Sequence, residues 1–468
     1  MVFSSLEFLY LYLPVSLLIY FLIPSRFLWA RNIALFAVSL AFYGWSEPIY
    51  IAIMLFSVVL DYFCGYFVSK YKQTNPKKAK AALLTSIIAN LSVLFFFKYF
   101  DFVIENLARI PALSGLKPLG TALPVGISFY TFQTMSYTLD IYMGNASVQK
   151  NILNFGAYVT MFPQLIAGPI VRYKDIDNEL RKREHSLSKA ASGTARFICG
   201  LCKKVLLANT AGAMYEELAG SVAENPNALS AWLGIIFYAF QIYFDFSGYS
   251  DMAIGIGRIL GFKFPENFNY PYISRSITEF WRRWHITLSA WFREYVYIPL
   301  GGNRKGKART YFNLLAVWLL TGFWHGASWN FILWGLYFCL LLIVEKMFLG
   351  NILKKLPKVI SHLYSCFFIL IGWYIFIYCD LPNPMGYLSA LFTAAPISGN
   401  AIYDLIRNIP FLIILILAST PLPHKLYCKL KGKKSVKLIL CFLLPLALTV
   451  CTAYLVDSSY NPFLYFRF

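Results

Sequence analysis

Two histidines stand in sequence that otherwise favours burial among apolar side chains. His325 lies near the start of the apolar run TGFWHGASWNFILWGLYFCLLLIVEK (321–346), and His285 lies in SITEFWRRWHITLSAWFREYVYIPLGG (276–302). An ionisable side chain at membrane depth is costly, and imidazole is well suited to move a proton near neutral pH. The separation of the two positions leaves room for two helices and a connection. We therefore predict that the two rings can meet in one cavity.

The neighbours of His325 favour a chemical role. Small residues follow it at 326–328, which lets a ligand or another helix approach closely, and Trp324 precedes it. A satisfied core histidine is the alternative. The sequence contains no G-x-S-x-G nucleophile elbow and no H-x-x-x-x-D motif. The catalytic motifs familiar from soluble hydrolases and acyltransferases are therefore absent.

The sequence around His285 predicts a helix. Ser276 and Glu279 form an S-x-x-E capping box that starts the helix at about Ile277. Helical spacing then puts one set of side chains on a common face, namely Trp281, Trp284, His285 and Leu288. Arg282 and Arg283 point away from that face. The alternative is an interfacial histidine beside membrane-belt tryptophans.

A basic glycine loop follows in IPLGGNRKGKART (298–310), which includes Arg304, Lys305 and Lys307. It is typical of a cradle for phosphate or pyrophosphate. It is equally typical of a cytoplasmic turn.

Asp245 and Asp251 stand in the apolar run QIYFDFSGYSDMAIGIGRILGF (241–262). The nearest basic residues in sequence are Arg258, Arg282 and Arg283. One interpretation is a structural buried ion pair, and the other is a carboxylate that orients a catalytic imidazole. No chemical step requires them, so we assign them as structural buried charges.

The composition indicates which class of protein contains these residues. The chain has 468 residues, of which 58% are hydrophobic and 14% charged, and its mean hydropathy is +0.57. This predicts an all-α integral membrane protein, a single domain over 1–468 with about 11 to 13 membrane segments, some of them re-entrant. The segments at 123–142 and 161–173 are broken by proline and glycine, so we expect them to line a cavity.

The net charge of +20 does not indicate nucleic-acid binding, because the lysines cluster between apolar spans at 70–80, 354–358 and 424–437. That is the positive-inside pattern of cytoplasmic loops. Arg26 and Arg31 mark the first loop as cytoplasmic too, so the N-terminus and the tail at 457–468 are predicted to be extracytoplasmic.

The segment 171–192 is predicted to be an amphipathic interfacial helix with His185 as a solvated surface residue. Cys199 and Cys202 have no second ligand pair, and no metal site is predicted.

Several long motifs together resemble the membrane-bound O-acyltransferase (MBOAT) family, in particular the branch that includes the membrane subunit of bacterial alginate O-acetylation. The motifs are FWRRWHITLSAWFREYVYIPLGGNR, FWHGASWNFILWGLYF, LPVGISFYTFQTMSYTLDIY, FPQLIAGPIVRY and YFDFSGYSDMAIGIGRILGFKFPENFNYPY. The resemblance covers most of the chain, with the core motifs at 241–346. It implies a helical bundle around a transbilayer tunnel.

The resemblance also implies roles for individual residues. The invariant family histidine corresponds to His325, and the second, more variable position corresponds to His285. We predict that the residues that contact the substrate or CoA are Arg282, Arg283, Trp284, Trp324, Arg304 and Lys305. The implied donor is cytosolic acetyl-CoA, the implied partner is an extracytoplasmic SGNH-type transferase, and the implied acceptor is a polysaccharide outside the cell membrane of a bacterium.

Three further interpretations stay open at this point. A related branch moves D-alanine from a carrier protein to teichoic acid. A proton-coupled transporter would use Asp245, Asp251 and the histidines as a proton path. In the tail PFLYFRF, Tyr465 is either an acyl relay or an interfacial aromatic anchor.

Overall fold

The structure is a computed structural model that describes residues 2–393, 399–457 and 461. The described residues form helices and no strand, which confirms the all-α prediction. The chain divides into two compact units, of which the first comprises 1–197, 249–266 and 290–295, and the second comprises 198–248, 267–289 and 296–468. The single-domain assignment stays a prediction.

The first unit contains the N-terminal helices. They are Leu13–Leu22, Leu28–Ser46, Ile51–Tyr71, Pro76–Lys98, Phe100–Leu107, Ile127–Met143, Ile152–Thr160, Phe162–Leu165 and Tyr173–Arg181. A π-helical turn, Phe8–Tyr12, precedes the first of them, and Pro111–Leu113 is a 3₁₀ turn. Gly126 and Gly144, both at positive φ, flank Ile127–Met143. That helix is buried along nearly its whole length. The prediction that the segment at 123–142 lines a cavity stays a prediction.

Three helices contribute residues to both units, namely Leu187–Cys202, Ala228–Ile259 and Ile286–Phe292. The other helices from residue 209 onward are Asn209–Glu224, Ile277–Arg283, Lys307–His325, Trp329–Val344, Gly350–Lys355, Lys358–Ile377, Pro384–Phe392, Gly399–Ala418, Leu422–Leu430 and Lys434–Asp457. π-Helical turns occur at Lys203–Ala208, Arg293–Tyr297 and Glu345–Leu349, and 3₁₀ turns at Pro271–Ile273 and Tyr378–Asp380.

Eight helices in the described part of the chain are long and apolar enough to cross a membrane. They are Ile51–Tyr71, Pro76–Lys98, Leu187–Glu224, Ala228–Ile259, Trp329–Lys355, Lys358–Asp380, Gly399–Ala418 and Lys434–Asp457. Other predicted segments form helices that are shorter or more polar, among them Leu28–Ser46, Ile127–Met143, Ile152–Thr160 and Lys307–His325. The chain is therefore a multi-pass membrane protein.

The predicted interfacial helix at 171–192 is interrupted. A helix ends at Arg181, residues 182–186 are irregular, and the next helix begins at Leu187. The prediction of a solvated His185 is wrong, because Arg31 donates to its Nδ1 atom and its Nε2 atom lies 3.1 Å from the carbonyl oxygen of Leu260. Side chains of the irregular segment turn inward to satisfy polar groups of other helices, which a helical pattern does not predict.

Candidate active site

His325 is the last residue of the helix Lys307–His325, and only three residues separate it from the helix Trp329–Val344. Its side chain is buried, with 4% of the residue exposed. The rings of Trp334 and Phe376 meet the imidazole edge to face, with centroids 4.9 and 5.4 Å away. His325 is thus fixed inside an aromatic cluster of the second unit rather than at its surface.

Glycines hold these two helices together at very short range. A Cβ atom at Gly322 would lie 2.5 Å from the carbonyl oxygen of Phe331, and one at Gly335 would lie 2.4 Å from that of Trp318. At Gly326 it would lie 2.3 Å from the Phe331 ring. The small residues beside His325 therefore permit close approach of backbone and ring, as the sequence predicts.

His285 lies at a break between two helices. The helix Ile277–Arg283 ends before it, Trp284 is extended, and His285 has φ of +42°, in the left-handed region that non-glycine residues rarely adopt. The prediction of one continuous helical face from Trp281 to Leu288 is therefore wrong. Strain of this kind costs about 1–3 kcal/mol and persists only where the surroundings enforce it.

A neighbouring backbone segment enforces the break. The amide of Asn269 donates to the carbonyl oxygen of Arg283 at 2.9 Å, and the amide of Ile286 donates to the carbonyl oxygen of Asn267 at 2.9 Å. These hydrogen bonds replace some of the helical backbone hydrogen bonds that are lost at the break. Irregular backbone inside a membrane protein is tolerated only with such replacements. No proline or glycine marks the break in sequence, so the pattern gave no signal for it.

Asn267 also determines which nitrogen of His285 carries the proton. Its Oδ1 atom accepts hydrogen bonds from the hydroxyl of Thr287 at 2.8 Å and from the Thr287 amide at 3.3 Å, which identifies it as the amide oxygen. The Nδ1 atom of His285 lies 3.0 Å from the same oxygen and must donate to it. In the neutral ring, Nε2 therefore carries the lone pair. It is buried and has no hydrogen-bond partner among the described residues.

The two imidazoles belong to one buried aromatic cluster, whereas the predicted cavity between them stays a prediction. The ring of Trp324 lies 5.7 Å from that of His285 and 5.0 Å from that of His325. Burial, and in second place the neighbouring His325, lower the pKa of His285. The Phe246 ring closes another side, 4.7 Å from His285 and nearly perpendicular to it.

Several buried polar atoms in this cluster have no hydrogen-bond partner within the described ranges. Besides His285 Nε2, they are the indole nitrogens of Trp281 and Trp334 and Oδ1 of Asn330. Buried polar groups are paired in the great majority of cases. Trp281 and Trp334 lie edge to face, 5.4 Å apart, and Trp334 contacts His325. The cluster therefore offers two donors and two acceptors to a polar group that enters it.

Glu345 connects the helix that follows His325 to the helix that precedes His285. Directly after the helix Trp329–Val344, its carboxylate accepts hydrogen bonds from the amides of Ile277 and Thr278 at 2.6 and 2.8 Å and from the Thr278 hydroxyl at 2.6 Å. Glu345 thus caps the helix that leads to His285. Sequence reasoning missed it, because it stands at the end of an apolar run with no motif around it.

The predicted capping box is present in a modified form. The Ser276 side chain accepts from the amide of Glu279 at 3.0 Å, and the helix begins at Ile277 as predicted. The Glu279 carboxylate, however, accepts from the amide of Arg275 and pairs with Arg283 at 2.8 Å.

The residues predicted to contact the substrate lie in different settings. Trp284 is buried against Trp373, with ring centroids 4.9 Å apart, and Trp324 is buried beside the histidines. Arg282, Arg304 and Lys305 are exposed. Arg283 donates to the carbonyl oxygen of Asn269 as well as pairing with Glu279, so it also holds the helix break. Their contacts with substrate stay predictions.

The basic glycine loop is a tight turn. Gly301, Gly302 and Gly306 have φ of +108°, +55° and +85°. Asn313 donates to the carbonyl oxygen of Gly302 at 2.9 Å, which fixes the turn against the following helix. Phosphate binding by this loop stays a prediction.

The predicted partners of the two aspartates are wrong. Asp245 pairs with Lys204 at 2.7 Å, and both side chains are 2% exposed. Asp251 pairs with Arg196 at 2.8 Å and is partly exposed. Both partners come from an earlier part of the chain, at 196–204, which proximity in sequence did not reveal. Tyr465, predicted to be either an acyl relay or an interfacial aromatic anchor, lies outside the described residues.

Comparison with known proteins identifies the family. The membrane-bound O-acyltransferase family model matches residues 40–379. A probable alginate O-acetylase of Pseudomonas aeruginosa is 42% identical over 379 residues, which is 80% of this chain and 72% of that protein. A peptidoglycan O-acetyltransferase of Helicobacter pylori is 36% identical over 412 residues, 80% of this chain and 77% of that protein.

A more distant relative is a teichoic acid D-alanyltransferase of Bacillus subtilis, 27% identical over 310 residues, 62% of this chain and 76% of that protein. These relatives are transferases, which favours the enzyme over the proton-coupled transporter. The two histidines of the buried cluster both fall within the matched segment. The chain belongs to the membrane-bound O-acyltransferase family and is an acyltransferase.

Proposed function

We propose that this enzyme transfers an acetyl group from acetyl-CoA at the cytoplasmic face toward O-acetylation of an extracytoplasmic polysaccharide, through an SGNH-type partner transferase. The observation that carries the proposal is the buried aromatic cluster in which His285 and His325 both contact Trp324, together with indole donors that lack a partner among the described residues. The names of the alginate and peptidoglycan O-acetylating relatives support a polysaccharide acceptor. The basic loop at 298–310 supports a donor with phosphate groups.

In this reaction His325 acts as the general base. It removes the proton of an acceptor hydroxyl while that oxygen attacks the carbonyl carbon of the thioester. The C–S bond then breaks, and the imidazolium returns the proton to the departing thiolate. His285, with its lone pair on Nε2, accepts a hydrogen bond in the same cluster and helps to orient the reacting groups.

The indole N–H groups of Trp334 and Trp281 stabilise the tetrahedral intermediate. Acyl transfer places negative charge on the former carbonyl oxygen, and preorganised donors in a water-excluding site stabilise it strongly. Both N–H groups are buried and without an acceptor among the described residues. Trp334 lies against His325, where that oxygen would develop.

The test is transfer of radiolabelled acetyl from acetyl-CoA by the purified protein in nanodiscs. His325→Ala is expected to lower turnover about 100- to 10,000-fold, the contribution typical of a general base. His424→Ala is the matched control, because His424 is exposed, and it should leave turnover unchanged. Folding of each variant is checked by size-exclusion chromatography and thermal unfolding.

The outcomes separate the alternatives. Substantial activity in folded His325→Ala would refute His325 as the base. Failure of folded wild type to consume acetyl-CoA, with or without its SGNH-type partner, would refute the acetyl-CoA donor. Transfer of D-alanine from a charged carrier protein under the same conditions would then support the D-alanyl reaction.

A further inference from the structure

A cluster of basic side chains in the first unit lies outside the catalytic cluster. Arg31, at the start of the helix Leu28–Ser46, is 5% exposed, and Arg183 comes from the irregular segment after Arg181. Both guanidinium groups lie over the ring of Tyr20, at 5.1 and 5.7 Å from its centroid. Arg183 also stacks on Phe262 at 4.3 Å.

These two positive charges are not neutralised by the protein. In the described ranges neither guanidinium forms an ion pair with an aspartate or a glutamate, and Glu179 acts on Arg183 only from beyond ion-pair distance. Arg183 donates to the Oδ1 atom of Asn32, whereas its Nε and Nη1 atoms are buried without a hydrogen-bond acceptor. A buried charge without a partner costs several kcal/mol.

His185 does not supply the missing negative charge. Because Arg31 can only donate, the Nδ1 atom of His185, 3.1 Å from Nη1, must accept. The ring proton is then on Nε2, which lies 3.0 Å from the Tyr20 hydroxyl and 3.1 Å from the carbonyl oxygen of Leu260. Burial and the two arginines lower the pKa of His185, so the ring stays neutral near pH 7.

Burial lowers the pKa of Arg183 to about 10, so the guanidinium is still charged at neutral pH. The cluster therefore carries two positive charges, fixed on aromatic faces, with donors left over. Fork-shaped guanidinium donors suit the oxygens of a phosphate group.

The surroundings of the cluster indicate where such a phosphate comes from. Exposed apolar side chains flank it in sequence, namely Phe21, Leu22, Phe27 and Trp29, which are 41%, 71%, 39% and 61% exposed. Exposed tryptophan next to basic residues is typical of the boundary between hydrocarbon and lipid headgroups. A positively charged pocket at this boundary selects anionic headgroups.

We propose that Arg31 and Arg183 bind the phosphate group of an anionic phospholipid at the membrane surface. The lipid phosphate replaces the missing counter-ion, and the acyl chains extend along the exposed apolar side chains beside the site. The role of the site is separate from acyl transfer, so it does not depend on the proposed substrate.

The experiment is native mass spectrometry of the full-length protein, delipidated in detergent and titrated with phosphatidylglycerol or phosphatidylcholine. Wild type is expected to retain phosphatidylglycerol at least about tenfold more tightly, and Arg183→Gln should remove that preference because it loses charge-assisted hydrogen bonds. Arg26→Gln is the matched control, because Arg26 is an exposed arginine in the connection that precedes the helix Leu28–Ser46. It should bind like wild type.

Two results of the lipid titration would overturn the proposal. One is equal retention of both lipids by wild type, a measurement that does not depend on any variant folding. The other is an equal loss of binding in Arg26→Gln and Arg183→Gln, which would indicate diffuse surface charge. A third arm adds inorganic phosphate to lipid-free protein. If phosphate raises the thermal unfolding midpoint as much as phosphatidylglycerol does, and only when Arg183 is present, the site takes free phosphate and the lipid assignment is wrong.

Discussion

Two buried polar clusters, one in each unit, differ in how their hydrogen bonds are satisfied. In the first unit, Asp61 is fully buried on the helix Ile51–Tyr71. Ser86 donates to its Oδ1 atom at 2.5 Å, and Asn90 donates to its Oδ2 atom at 2.7 Å. Thr138 lies 2.9 Å from the Ser86 hydroxyl and extends the network to a third helix. Each carboxylate oxygen has a donor.

In the second unit, the cluster around His285 and His325 is incompletely paired. The Nε2 atom of His285 and the indole nitrogens of Trp281 and Trp334 are buried, yet have no partner among the described residues. The backbone of His285 is in addition held at positive φ. Strain and unpaired polar groups persist only when other contacts outweigh them, and they concentrate at functional sites.

The difference in pairing indicates which cluster stabilises the fold and which can take part in a reaction. A satisfied network such as that of Asp61 holds helices in register and has nothing left to offer a substrate. An incompletely paired cluster keeps donors and acceptors available for a reaction. Substitutions in the two clusters should therefore affect different quantities, turnover in the second unit and the free energy of unfolding in the first.

After His325→Ala, the largest effect on turnover is expected from Trp334→Phe. The change removes the indole N–H and keeps an aromatic ring, so kcat should fall about 100- to 1,000-fold, as when one oxyanion donor is removed. KM for acetyl-CoA should change much less. Steady-state kinetics of purified protein in nanodiscs measures both.

Trp318→Phe is the matched control for Trp334→Phe. Trp318 packs against the same rings, 4.7 Å from Trp281 and 6.1 Å from Trp334. Its indole nitrogen is not among the buried atoms that lack a partner. Equal losses of kcat in the two variants would mean that ring packing, not the N–H group, is what turnover requires.

A smaller effect is expected from Asn267→Ala. Without the Asn267 oxygen the ring of His285 is free to change tautomer and orientation, so kcat should fall about 10- to 100-fold. Asn267→Asp keeps an acceptor opposite Nδ1 and should restore most of the activity. Parallel losses of kcat in both variants, together with lower thermal unfolding midpoints, would reduce Asn267 to a structural residue.

The sequence predicted the parts of this molecule that depend on local pattern. Apolar segment length and charge placement predicted an all-α membrane protein, and the Ser276–Glu279 pattern predicted where the helix leading to His285 begins. The two histidines were found because ionisable residues in apolar sequence are rare. Their environment in one aromatic cluster follows from the same motifs.

The sequence did not predict what depends on partners distant along the chain. The break at His285 is stabilised by residues 267–269, Glu345 acts on a helix about 70 residues earlier, and Asp245 pairs with Lys204. His185 was assigned to the surface because its own neighbours are charged, whereas its partners are Tyr20, Arg31 and Leu260. Local pattern determines which segments are helical, but side-chain partners are determined by packing.

Asp61→Asn should have the smallest effect on turnover and a clear effect on stability. The new amide presents a donor where Ser86 or Asn90 already donates, so one buried hydrogen bond is lost at about 1–3 kcal/mol. Thermal unfolding should show a lower midpoint, while kcat of the folded fraction stays at the wild-type value.

Glu105→Gln, at an exposed carboxylate of the same unit, should change stability by no more than about 0.5 kcal/mol. A fall in kcat of Asp61→Asn comparable to that of Trp334→Phe would break the distinction between satisfied and unsatisfied clusters, because a fully paired carboxylate would then be contributing to catalysis.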